Sequence, residues 1–144
     1  MAMLAKWFSF ILLLTALIGA EAQTKAASCS QNDVNNAINS ASSGDTVTVP
    51  AGNCSWSGLS VAKAITLQGA GVGQTNISLN GTTTFTKQSA GVMRITGFSF
   101  SVSGGGDANK PLMINGSWLG AQPIVFANNS FNVSGSGLFR INVP

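Results

Sequence analysis

Val92-Met-Arg-Ile-Thr-Gly-Phe-Ser-Phe-Ser-Val102 and Ile124-Val-Phe-Ala-Asn-Asn-Ser-Phe-Asn-Val133 are the stretches whose reading decides the fold. Laying Ile95 on Phe126, an offset of 31 (126 − 95), puts Gly97 on Asn128, Ser99 on Ser130, Phe100 on Phe131 and Val102 on Val133. They read as two copies of one structural unit. In each copy the apolar residues alternate and then change parity. Met93 and Ile95 give way to Phe98, Phe100 and Val102 across Gly97, and Ile124 and Phe126 give way to Phe131 and Val133 across Asn128 and Asn129. Alternation marks a strand with one buried face. A parity switch means that the chain has turned a corner, and Gly and Asn accept positive φ most readily there.

The unit extends backward, since Ile65, Leu67 and Gly69 fall on Met93, Ile95 and Gly97 at an offset of 28 (97 − 69). A second ladder interleaves with it. Ile77-Ser-Leu-Asn-Gly-Thr82 matches Leu112-Met-Ile-Asn-Gly-Ser117 at an offset of 35 (112 − 77), and Ile141-Asn142 repeats the apolar-Asn step 27 residues later (141 − 114). Corners of the first kind are therefore Gly69, Gly97 and Asn128, and corners of the second kind are Asn80, Asn115 and Asn142. The two kinds alternate along the chain. A sandwich offers no reason for that alternation, whereas a coil of short strands does, each strand stacking in parallel on its equivalent ~4.8 Å away. The expectation is an all-β fold, a parallel β-helix or solenoid of about three rungs, with strands at 46–49, 64–67, 76–79, 92–95, 98–102, 112–114, 124–126, 131–133 and 138–143.

Upstream the period changes. Val34, Ala37, Ile38 and Ala41 fall at i, i+3, i+4 and i+7, the stripe of one short amphipathic helix from about residue 32 to 42. Ser30 with Asp33 approximates a capping box, and Gly44 is positioned as the stop. An open solenoid end exposes core and strand edges, so this helix is expected to be the N-terminal cap. At the other end Arg140-Ile-Asn-Val-Pro144 stops within a strand. The expectation is an N-terminal piece of a longer solenoid, with continuation or self-association at an open last rung.

The first 22 residues read as a secretory signal peptide: Lys6, then an apolar run from Phe8 to Ile18 too short to span a bilayer, then Ala20-Glu21-Ala22 as the cleavage site. Residues 23–45 would form the capping segment and 46–144 the rungs. The expected location is extracellular or periplasmic, without membrane attachment after cleavage. Cys29 and Cys54 are the only cysteines; in an oxidising compartment they most simply form one disulfide. No His is present to complete a metal site with them. Beyond the signal peptide, Lys25, Lys63, Lys87, Arg94, Lys110 and Arg140 face three anions, Asp33, Asp45 and Asp107, scattered without a run. Nothing in that pattern indicates nucleic acid.

Cys29-Ser-Gln-Asn-Asp-Val-Asn-Asn-Ala-Ile-Asn, Gly44-Asp-Thr-Val-Thr-Val-Pro-Ala-Gly52 and Ile65-Thr-Leu-Gln-Gly-Ala-Gly71 follow in an order that resembles the N-terminal region of secreted right-handed parallel β-helix proteins of the pectate-lyase-like superfamily. The resemblance covers most of the chain after the signal peptide. It is specific for the fold and not for an activity, since the superfamily holds polysaccharide lyases, glycoside hydrolases, esterases, tailspikes and adhesins. It implies a polysaccharide partner and, for a lyase, Ca²⁺ held by aspartates with an Arg or Lys as base. None of those catalytic residues can be matched here, and no cofactor is evident from the sequence.

Among candidate site residues, Trp118 and Trp56 lie in turn-like settings where an indole can stack on a sugar face; packing is the competing role, and favoured for Trp56 beside the cysteines. Asp33 and Asp45 have local turn and cap roles. Asp107 with Asn109 offers oxygens in a Gly-rich insertion. Arg94 has outward parity. Gly69-Ala-Gly71-Val-Gly73 lacks the following helix that a phosphate loop requires. Asn115, Asn128, Asn129, Asn132 and Asn142 are expected to form ladders between rungs, and Asn53, Asn76, Asn80, Asn115, Asn128 and Asn132 each begin an Asn-x-Ser/Thr sequon. The two functions weighed are a polysaccharide-binding or polysaccharide-processing β-helix and a non-enzymatic adhesive or structural solenoid.

Overall fold

The computed structural model describes residues 21–86, 90–103, 112–115, 123–134 and 139–142. These contain one helix, α1 (Gln31–Ser40), and strands β1 (Gln23–Lys25), β2 (Thr46–Val49), β3 (Gly52–Trp56), β4 (Ser60–Val61), β5 (Thr66–Gly69), β6 (Thr75–Leu79), β7 (Thr83–Thr86), β8 (Met93–Thr96), β9 (Ser99–Ser103), β10 (Leu112–Asn115), β11 (Ile124–Ala127), β12 (Ser130–Ser134) and β13 (Phe139–Asn142). Residues 1–20 of the stretch 1–22 expected as a signal peptide, and the Gly-rich insertion around Asp107, lie outside the described residues.

The strands form three sheets, β1-β2-β5-β8-β11, β3-β6-β9-β12 and β4-β7-β10-β13, called here the first, second and third. Their pairings are parallel. From β2 onward the chain takes the sheets in rotation, first, second, third, and does so four times. The fold is thus all-β, stacked parallel strands with one short helix.

The repeat that opened the sequence reading is in the register expected. Ile95 pairs with Phe126 and Thr96 with Ala127, Phe100 with Phe131 and Val102 with Val133. At the next position the Gly97 N–H donates to the Asn128 carbonyl at 3.1 Å. Gly97 and Asn128 both take positive φ, 79° and 52°, as the parity switch requires. Gly69, at the same corner, is not in that region. Glycine is needed there for space, because a Cβ would fall within 3.0 Å of the Gly97 carbonyl carbon.

The second ladder requires correction. Leu112 pairs with Thr83 and Phe139, not with Ile77, and Asn115 pairs with Thr86 and Asn142. Ile77 instead pairs with Cys54 and Phe100 in the second sheet. Asn80 therefore stands at the exit from the second sheet, and Asn115 and Asn142 at the exit from the third. Both exits read apolar-Asn because both are strand-to-turn transitions; the likeness reports turn chemistry, not register. The same mixing hid a turn. Among the described residues there are four rounds rather than about three, since β3, β4 and β7 carry too few apolar residues to show alternation: Cys54 and Trp56, Val61, and Phe85.

Inside the stack, equivalent side chains pile on one another. Val47, Leu67 and Ile95 form one buried column of the first sheet. Ile77 and Phe100, then Trp56, Leu79 and Val102, fill columns of the second sheet. Phe100 stacks between Phe98 and Phe131 with ring centroids 5.3 Å away in each case. Fully burying side chains of this size contributes about 1.5–3 kcal/mol each, so the columns hold the rounds together.

The helix occupies the end of the stack near β1, β2 and β3. Val34, Ala37, Ile38 and Ala41 are buried as the stripe predicts. Ser30 is the N-cap, its hydroxyl accepting from the Asp33 N–H at 3.3 Å. The Asp33 carboxylate does not reach back to the Ser30 N–H. It accepts from the Ser28 hydroxyl, which itself accepts from the Ser30 N–H at 3.0 Å. Gly44 is not the stop: the helix ends at Ser40 with Ala41 extended, and Gly44 (φ 96°) serves a later turn. Lys63 replaces a glycine cap, its ammonium donating to the carbonyls of Ile38, Asn39 and Ala41 at 2.9, 2.8 and 2.7 Å. A cation there also opposes the negative end of the helix dipole.

Candidate functional site

Two cross-links pin the helix to the first round. A disulfide joins Cys29 to Cys54 in β3, with Cα atoms 5.8 Å apart. The Gln31 side-chain oxygen accepts from the N–H groups of Ser57 and Gly58 at 2.6 and 3.2 Å. Gly52 lies beneath the bridge, where a Cβ would meet the Cys29 sulfur at 2.6 Å.

Trp56 is fully buried, and its indole N–H donates to the Cys29 carbonyl at 3.0 Å. Its ring meets Phe98 and Phe100 edge-on at 5.9 and 6.1 Å. The indole offers no face to a sugar, and the packing role is the one the structure gives it. Trp118 lies outside the described residues.

The carboxylates are engaged in local structure. Asp33 belongs to the helix cap described above. Asp45 accepts from the Ala22 N–H at 3.3 Å with one oxygen and from the Ser42 N–H at 2.7 Å with the other, closing the turn after the helix. Among the described residues no group of three or more His, Cys, Asp or Glu is placed to hold a metal ion. The described donor set does not fit a Ca²⁺ ion of the lyase kind, and Asp107 with Asn109 falls outside the described residues. A shallow cavity of about 260 Å³ between β1 and α1 is lined by Thr24, Lys25, Asp33, Asn36 and Ser40. Its one carboxylate is that of the cap.

What the fold brings together from distant sequence is a set of outward columns. On the second sheet one column runs Asn53, Asn76, Ser99, Ser130 and its neighbour Ser55, Ser78, Ser101, Asn132. Every member is Asn or Ser and none is charged. The amide N–H of Asn76 donates to the Asn53 side-chain oxygen at 2.8 Å, the hydroxyls of Ser78 and Ser101 are 3.2 Å apart, and the Gly73 N–H donates to the Ser99 hydroxyl at 2.8 Å. On the first sheet the outward columns are Gln23, Thr46, Thr66, Arg94, Val125 and Lys25, Thr48, Gln68, Thr96, Ala127. Lys25 and Arg94 there are exposed cations, Arg94 as its parity implies.

The ladder expected of Asn129 and Asn132 is not one of Asn on Asn: Asn132 pairs in register with Ser101, and Asn129 bonds to backbone groups. Asn129 donates to the Ile95 carbonyl at 2.8 Å and accepts from the Phe98 N–H at 3.0 Å, so one side chain serves both backbone groups that flank the Gly97 corner of the preceding round. Asn128 is exposed and Asn132 faces outward on β12. Three sequons, Asn53, Asn76 and Asn132, arise because Asn and Ser alternate on this outward face with an inward residue between them. The Gly69–Gly73 segment runs into β6 rather than a helix, which leaves it a corner and not a phosphate loop.

The disulfide fits an oxidising, extracellular setting. Among the described residues no helix is long and apolar enough to cross a membrane. The chain matches no protein-family model, no curated protein and no solved structure.

Proposed function

We propose that the chain forms a helix-capped right-handed parallel β-helix of the pectate-lyase-like kind, exported from the cell, that binds or processes polysaccharide. The observation that carries this reading is the strict rotation of parallel strands through three sheets. That arrangement lines up equivalent outward side chains along the stack and offers a long repeating ligand a repeating set of partners. The disulfide, together with the export signal expected from the sequence, supports a setting in which polysaccharides are met. No catalytic site is assigned, and for the whole protein a lyase or hydrolase activity belongs to the same proposal. β11, β12 and β13 end their sheets at the far side from the helix. Phe131 and Val133, inward by parity, are 39% and 47% exposed there, which favours continuation or self-association at that edge.

A second reading, a non-enzymatic adhesive or structural solenoid, is favoured by Asp33 and Asp45 being committed to the cap and its turn. The experiment is incubation of the purified exported protein with polygalacturonate and neutral glycans, with and without Ca²⁺, followed by binding and product analysis. Glycan binding supports the first reading, and new reducing or unsaturated ends would add an activity. Absence of binding to every glycan leaves the solenoid reading standing alone.

A further inference from the structure

We propose that the outward face of the second sheet is the glycan site, and that its ligand is a neutral, extended polysaccharide lying across the strands with one sugar residue per round. This rests on the polysaccharide reading above and names its surface and substrate class. Four strands contribute equivalent outward pairs, beginning with Asn53 and Ser55 on β3 and ending with Ser130 and Asn132 on β12. Rounds are ~4.8 Å apart, close to the advance of one hexose along an extended glycan. Each sugar therefore meets two outward side chains, each of them Asn or Ser.

Chemistry selects neutral over acidic sugars. The face carries amides and hydroxyls only, which both donate and accept and so match sugar hydroxyls. A carboxylate-bearing glycan would find no cation there; the exposed Lys25 and Arg94 lie on the outward face of the first sheet. The side chains are also held in place before a ligand arrives, through the Asn76–Asn53 and Ser78–Ser101 contacts. Each bond uses part of a group's capacity, since a hydroxyl has one donor and two acceptor sites. Ordering them beforehand reduces the entropy lost on binding.

The test is calorimetric titration of the exported protein with cellohexaose, mannohexaose and hexagalacturonate. It compares the native chain, a Ser78→Glu/Ser101→Glu double variant on this face, and Gln68→Glu on the first sheet. The expected result is binding of at least one neutral hexasaccharide, weakened tenfold or more by the double variant and unchanged by Gln68→Glu. Melting curves confirm that the outward substitutions leave the fold intact. Should hexagalacturonate alone bind, or neutral binding survive the double variant, the inference falls while the polysaccharide reading stands. If none of the three binds and the wider glycan panel is also negative, both fall.

Discussion

Replacing Asn129 by Ala tests its bridge between rounds most directly. In the native chain the Asn129 amide donates to the Ile95 carbonyl at 2.8 Å and accepts from the Phe98 N–H at 3.0 Å. Both backbone groups flank the Gly97 corner, where the chain leaves β8 and has not yet entered β9. Truncation orphans one donor and one acceptor, at about 1–3 kcal/mol each when buried. Asn129 is half-buried, so water recovers part of the loss, and the lower half of that range applies. The expected cost is ~2–4 kcal/mol, a large share of a typical domain's stability. For a chain of this size that lowers the melting temperature by about 8–16 °C, read from near-ultraviolet circular dichroism. Asn129→Asp adds a sign. Its second oxygen would face the Ile95 carbonyl, repelling it when ionised and donating to it when protonated. The introduced carboxyl therefore has a folded pKa above its unfolded value of ~3.9. Its stabilising contribution is present below that value and lost as pH rises through the folded pKa. Asn129→Asp should approach native stability near pH 3 and resemble Asn129→Ala at pH 7. A melting temperature for Asn129→Ala within about 4 °C of native, or no acid recovery in Asn129→Asp, would refute the bridging role.

Four further outcomes are expected. Lys63→Met removes the ammonium from three helix-end carbonyls and should cost ~1–2 kcal/mol in urea unfolding, within the range for a cation at a helix C-terminus. Reduction of Cys29–Cys54, which closes a separation of 25 residues, should cost about 3 kcal/mol by the chain-entropy estimate, seen as a lower melting temperature in reductant. Thr83, fully buried with its hydroxyl unpartnered among the described residues, should tolerate Thr83→Val with a gain of ~1 kcal/mol, because an unsatisfied polar atom is replaced by a methyl of similar size. Gly69→Ala, whose Cβ would press on the Gly97 backbone, should cost ~1–3 kcal/mol as an overpacked site.

What was legible in the sequence came from patterns that repeat with the register. Met93, Ile95, Phe98, Phe100 and Val102 alternate because each points into one core, and their copy 31 residues on (126 − 95) alternates because it stacks directly on them. The helix was equally legible, since Val34, Ala37, Ile38 and Ala41 keep helical spacing over about two turns. The third sheet was not legible. Its members here are as short as Ser60–Val61 and as polar as Thr83–Thr86, and a strand with one apolar residue has no period to detect.

The sequence by itself determined that this chain coils, where one of its corners lies, and which helix caps it, because those properties are local or repeat at a fixed interval. Only the tertiary structure decided that each round has three sides, that Asn80 and Asn115 leave different sheets, that Lys63 closes a helix more than twenty residues upstream (63 − 41), and that Trp56 is core. The physical reason is the same in each case. These depend on which residues of distant rounds meet at one strand spacing, a long-range choice made by packing of the inward columns, and the outward Asn and Ser columns of the second sheet become one surface only once that choice has been made.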